Sequence, residues 1–226
     1  MNSTIKSLAR VLGLAAAVLG TAVPAAAAVV FYTDQAAYEA ALGTSVASDN
    51  FSDLTPDAAL AGPLARFAGG SGYRARAVLA LPDPGAEDFF PIAPGGNTAL
   101  SSNFSTASMV FDQFSQSVRG ISGQFFSSDE SGSLLAGTLD LVFFDQDGGF
   151  NYSLASGSAP SFLGFISDGS FSSFSLSAVQ PSGGFRFAAV DDLSLAARQA
   201  VPEPGAASLS LLALGLMLLV GKRRGN

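Results

Sequence analysis

The sequence predicts a mainly β protein: an antiparallel β-sandwich, jelly-roll-like, with a short N-terminal helix and a C-terminal transmembrane helix. Three observations carry this. Short apolar runs alternate with polar residues at period two, and clusters of Gly, Pro, Ser and Asp break them roughly every ten residues. The chain also holds 19 Phe and no Trp, which suits a Phe-filled core between serine-rich outer faces. The expected layout is a signal peptide at 1–28, a sandwich at 29–195, a linker at 196–200 and a C-terminal segment at 201–226.

At the front, Lys6 and Arg10 precede an apolar run at 11–19, followed by Gly20, Pro24 and a row of alanines. Positive, apolar and small-residue regions in that order make a secretory signal, with cleavage expected after Ala28. The stretch "FYTDQAAYEAALG" (31–43) predicts a short helix. Thr33 or Asp34 can cap its start, alanines and Leu42 favour it, and Gly43 stops it.

Strands follow. "SMVFDQF", "VRGISGQFF", "TLDLVFF" and "FSLSAV" are candidates, with Leu139, Leu141 and Phe143 in one phase and Phe174, Leu176 and Ala178 in another. "GFRFAAVDDLSL" is the last, while "NFSDL" (50–54) looks like the first strand of a sandwich domain. "GGSGY" (69–73) reads as a turn and "DQDGGF" (145–150) as a hairpin loop. Residues 81–103 carry four Pro and three Gly, too many prolines for an interior strand, so a long surface loop is expected.

Composition removes several chemistries. There is no Cys and no His, so thiolate metal sites, Ser-His-Asp arrangements and the commonest general base are absent. Residues 29–200 hold 17 Asp or Glu against six Arg and no Lys, a body that repels nucleic acid. No G-x-S-x-G is present either, and no catalytic residue is expected.

Carboxylates remain. Counting by twos from Phe185 through Phe187 and Ala189 lands on Asp191, ahead of Leu193 and Leu195. A carboxylate in that apolar phase is costly unless it is paired or coordinates a metal. One reading makes Asp191 or Asp192 an oxygen ligand of a structural Ca²⁺. The other is a β-bulge that shifts the phase, turns Val190 inward and leaves both carboxylates solvated. Asp145 and Asp147 form a second calcium pair or an Asx-rich turn. Two carboxylates suffice for glycoside hydrolysis, and Glu39, Glu87 and Glu130 are present. Glu87-Asp88 and Asp129-Glu130 nevertheless fall in loops. Sugar contact would fall to Tyr32, Tyr73, Tyr152 or Phe rings.

The last residues read "VPEPGAASLSLLALGLMLLVGKRRGN". As a helix the apolar run at 206–221 would be about 24 Å long, a short span for a hydrocarbon core of about 30 Å. Lys222, Arg223 and Arg224 behind it place the body outside by the positive-inside rule. Pro202 and Pro204 keep the stretch before it extended. Val201, Pro202, Glu203 and Pro204, the Leu-rich span and the basic tail, in that order, resemble the PEP-CTERM sorting signal. The resemblance covers about the last twenty-five residues. It implies a Gram-negative bacterium, an exosortase that processes the exported protein, and association with exopolysaccharide or biofilm. The expected function is structural or adhesive in that matrix, at the cell surface or beyond, with membrane attachment before processing. The alternatives are a carbohydrate-binding module and, further off, a glycoside hydrolase.

Overall fold

Among the described residues every strand pairing is antiparallel, and the strands fall into two six-stranded sheets. A computed structural model describes residues 28–79, 88–146, 148–156 and 159–197. The elements are β1 (Val29–Tyr32), α1 (Gln35–Leu42), β2 (Ser48–Asp49), β3 (Leu64–Ala68), β4 (Ser71–Val78), β5 (Leu100–Ser101) and β6 (Ser108–Asp112). After them come β7 (Val118–Ser128), β8 (Gly137–Phe144), β9 (Gly149–Ser156), β10 (Ser161–Phe171), β11 (Ser173–Ala178) and β12 (Phe187–Ala197). Sheet I runs β1-β10-β7-β12-β2, with β5 also against β12. Sheet II runs β3-β4-β6-β11-β8-β9. Packed face to face, they make a β-sandwich.

The core is aromatic, as the composition predicts. Phe143 of sheet II lies at its centre, with ring centroids 4.2 Å from Phe165 of sheet I and 4.8 Å from Phe150. Phe111 stacks on Phe174 at 4.4 Å. Alternation holds where it was read: Leu139, Leu141, Phe143, Phe174 and Leu176 are all buried between the sheets.

The helix begins and ends on the expected residues. Asp34 caps α1 by accepting from the Ala37 amide at 2.8 Å, and Gly43 ends it in the left-handed region at φ 76°. Its buried residues Tyr38 and Leu42 pack, with Ala196, on the outer face of sheet I. Gly164 of β10 makes room for the Tyr38 ring, since a Cβ there would overlap Tyr38 Cδ2 and stand 2.7 Å from Cγ.

Three expectations need correction. Residues 88–103 are no simple surface loop. Phe89, Ile92, Ala99 and Leu100 are buried, and Ile92, Ala99 and Ala189 share a small cluster with Phe126 on the outer face of sheet I. Prolines break the strand pattern there while the apolar side chains still bury. "GGSGY" splits, its first two glycines turning and its last three residues opening β4. "NFSDL" follows β2 as turns, because β1 had already begun the sandwich at Val29. Among the described residues no helix is long and apolar enough to cross a membrane, and the span at 206–221 lies outside them.

Candidate functional site

Charges converge first at the end of the sandwich where β2 and β3 meet. Arg66 points inward from β3 and grips Asp49 twice, with Nε–Oδ2 and Nη2–Oδ1 both at 2.7 Å. It also donates to Asp53, at 2.6 Å from Nη2 and 3.1 Å from Nη1. Tyr73 donates its hydroxyl to Asp49 Oδ2 at 2.6 Å, and the Phe51 ring lies 5.0 Å from the guanidinium carbon. Burial alone would depress the Arg66 pKa, but the two carboxylates outweigh it and hold the group charged. Burial and the Asp49 charge push the Tyr73 hydroxyl up. Each partner here is occupied by another, so the network holds the fold and offers no open site.

The Asp191 region is a bulge. Asp191 stands opposite Gln124 and Ser194 opposite Ser122, so β12 carries one extra residue, and Asp192 takes φ 50° to accommodate it. Ala188 and Val190 therefore face the core before the bulge, and Leu193 and Leu195 after it. Phe185, read as inward, is largely exposed. Asp191 belongs to the outer face, half-buried, and its pKa is pushed up to about 6, chiefly by burial, with the Asp192 and Asp49 charges adding. Asp191 Oδ1 accepts from the Asp192 amide at 2.7 Å, and Asp192 Oδ1 accepts from Ser48 at 3.0 Å. Beside them a groove of about 150 Å³ runs between α1 and β12, lined by Gln35, Glu39, Gln124, Asp192 and Ser194 among others. No group of three acidic side chains converges as a metal would need among the described residues.

The outer face of sheet II is different in kind. Among the described residues, α1 and the cluster of Ile92 and Ala99 pack on sheet I, while Asp88 touches β4 through the Ala77 amide. The outward residues of sheet II run in register across the strands: Arg74 opposite Asp112, Asp112 opposite Ser173, Ser173 opposite Phe144, and Phe144 opposite Gly149. One residue pair further along β4, Phe67 opposes Gly72. Both phenylalanines lie over their cross-strand glycines. An added Cβ would stand 3.2 Å from Phe67 at Gly72 and 3.0 Å from Phe144 at Gly149. Each side chain thus lies close against its cross-strand glycine and stays open to solvent, with Phe67 73% and Phe144 49% exposed. Four strand spacings separate them, about 19 Å.

Polar groups fill the strip between the rings. Arg74 holds Asp112 through Nε–Oδ1 at 2.8 Å and Nη2–Oδ2 at 2.9 Å, and Arg76 reaches the same Oδ2 from Nε at 3.3 Å. Arg74 foremost, then Arg76, holds the Asp112 carboxyl below the usual carboxylate range. Serines 173, 175 and 177 project along β11 on this face, between the core-facing Phe174, Leu176 and Ala178.

Of the residues singled out in the sequence, Tyr73 is buried and Tyr32 and Tyr152 are partly buried against core clusters. None of the three is an open ring. Phe67 and Phe144 fall under the general reading of Phe rings and stand outward beside buried Ala68 and Phe143, while the glycine each one meets is written only in register. Asp129 is held below the usual range, mainly by the Ser131 hydroxyl, in a tight loop. Asp145 accepts from the Gly148 amide at 3.1 Å within the hairpin turn. Glu87, Asp147, Val201, Pro202, Glu203, Pro204, Lys222, Arg223 and Arg224 lie outside the described residues.

Among the described residues, fold and surface define an antiparallel β-sandwich whose sheet II carries two exposed phenylalanines on either side of a guanidinium–carboxylate strip. No protein-family model matches the chain, and no curated protein does. Among solved structures it is similar to the enzymatically active domain of tailspike protein 4 of bacteriophage CBA120, at 14% identity and a TM-score of 0.25. That match covers 55% of this chain and 18% of the tailspike chain, so the present chain spans less than a fifth of its length.

Proposed function

We propose that this is an exported, exosortase-sorted protein that adheres to matrix polysaccharide through the outer face of sheet II. The observation that carries the adhesive part is the pair of open rings, Phe67 and Phe144, laid on glycines at the two sides of one face. An aromatic face takes the apolar side of a sugar ring, and arginine, carboxylate and serine between two such faces match hydroxyl groups. About 19 Å of separation suits an extended chain rather than a single sugar. The role is structural, with no catalytic centre in it, and the sandwich follows a jelly-roll-like course. Delivery rests on the termini: a secretory signal at 1–28, and Val201–Pro204, the span and Lys222 to Arg224 as the sorting signal read by an exosortase. The chain is then membrane-attached before processing and matrix-attached after it.

The test is binding of the full-length protein, in detergent, to an array of bacterial polysaccharides and oligosaccharides. Retention that falls in the Phe67→Ala/Phe144→Ala double variant, with the fold intact, supports the reading. A blank array, or retention unchanged in the double variant, removes it.

A further inference from the structure

The outer face of sheet II carries an imbalance that neutral sugar binding does not use. Two guanidinium groups share one carboxylate. Arg74 and Asp112 satisfy each other as a two-point pair, which leaves Arg76 with a single 3.3 Å contact to an oxygen already claimed. Its side chain is 38% exposed, and its two Nη groups have no partner among the described residues. Two other described carboxylates near this face are occupied. Asp140 accepts from Ser153 at 2.6 Å, and Asp88 accepts from the Ala77 amide at 3.2 Å. Among the described residues Arg119 and Arg186 donate to backbone carbonyls, whereas on this face Arg76 makes only the one Nε contact to Asp112.

Arg76 also stands where a glycan chain would pass. It projects on the same side of β4 as Arg74 and Gly72, four residues from the Gly72–Phe67 platform, or about 13 Å along the strand. A planar guanidinium whose two Nη groups meet no partner among the described residues is a fork for a carboxylate. We infer that the polysaccharide taken by this face is acidic, with the carboxylate of a uronic acid residue seated on Arg76 and another sugar of the same chain stacked on Phe67. This rests on the polysaccharide-adhesion reading above and adds the ligand's class. The acidic body does not forbid it. Charges further than a Debye length, about 8 Å at physiological ionic strength, are largely screened, whereas Arg76 would touch the ligand.

Affinity electrophoresis of the full-length protein in detergent separates the cases, using polygalacturonate and alginate as uronate polymers and dextran as a neutral one. The expected result is retardation by a uronate polymer and not by dextran. Arg76→Gln should weaken it about tenfold, while Arg76→Lys restores part of the loss. Rising salt should also weaken it. Both variants sit on an exposed position, so unchanged circular dichroism and melting show that the fold is retained. Retardation by dextran equal to that by the uronate polymers overturns the acidic-ligand inference and leaves adhesion standing. So does indifference to Arg76→Gln. Retardation by none of the three overturns the inference, and together with a blank array it removes adhesion as well.

Discussion

Arg66 and Asp49 meet through two hydrogen bonds of 2.7 Å each, across the seam where β3 of sheet II comes against β2 of sheet I. Both side chains are nearly out of solvent, at 12% and 6% exposure. Removing Asp49 leaves the buried Arg66 guanidinium with the largely exposed Asp53 carboxylate as its remaining partner. Asp49→Ala is therefore expected to lower unfolding free energy by about 2–3 kcal/mol, short of the cost of a fully orphaned buried charge. Tyr73→Phe removes only the third hydrogen bond to that carboxylate, and about 1–2 kcal/mol is expected. Urea unfolding measures both. A loss under about 1 kcal/mol for Asp49→Ala would put the pair in the class of surface ion pairs and refute its role as the clasp between sheets.

Tyr38 anchors α1 because Gly164 has no side chain. A methyl at Gly164 would overlap the ring, and the floor beneath the ring is β-sheet backbone that cannot retreat. Gly164→Ala should cost about 1–3 kcal/mol by overpacking and speed amide exchange across 35–42. Combining it with Tyr38→Ala should recover part of that loss, since the second change removes the clashing ring. Additive losses in the double variant would show that the two residues do not oppose each other.

Asp191 gives stability a pH dependence of definite sign. Its folded pKa, about 6, lies above the unfolded value of about 3.9. The folded state thus holds the proton more tightly. The contribution to stability is fully present below about pH 4 and is lost as pH rises through about 6. Asp191→Asn should raise the melting temperature at pH 7 and change it little at pH 4. A variant that melts lower at pH 7 than at pH 4 relative to the parent contradicts this. Calcium added to the parent in the same experiment tests the Asp191–Asp192 metal reading, and an unshifted transition dismisses it.

What the sequence could show was whatever is local. Asp34 and Gly43 act on residues within four positions, so the helix was legible to its ends. In β8 and β11 period two survives because each strand is paired without interruption. In β12 one residue in the left-handed region, Asp192, inverts the phase, and alternation counted across it misplaces Asp191. The Arg66 network joins positions 49, 53, 66 and 73 through two hairpin-like turns, and no spacing rule relates them. The glycines that Phe67 and Phe144 meet stand on neighbouring strands. Register, more than composition, decides what each outward ring lies against.

Sorting is the part of the proposal that the sequence carries alone. Pro202 and Pro204 have no amide hydrogen, and each disfavours helix in the residue before it, which keeps the segment ahead of 206–221 extended. An extended backbone can lie in a processing enzyme's cleft, whereas a helix satisfies its own amides and hides the bond to be cut. Replacing both prolines by Ala, the strongest helix former, removes that bias against helix in the motif. The Pro202→Ala/Pro204→Ala double variant, expressed in an exosortase-bearing host, is expected to accumulate in the membrane fraction with its C-terminal 26 residues attached. Intact-mass measurement of the released and membrane fractions reads this directly. Normal release of a trimmed double variant would mean that the prolines are not what the enzyme reads, and the exosortase route would fall with them.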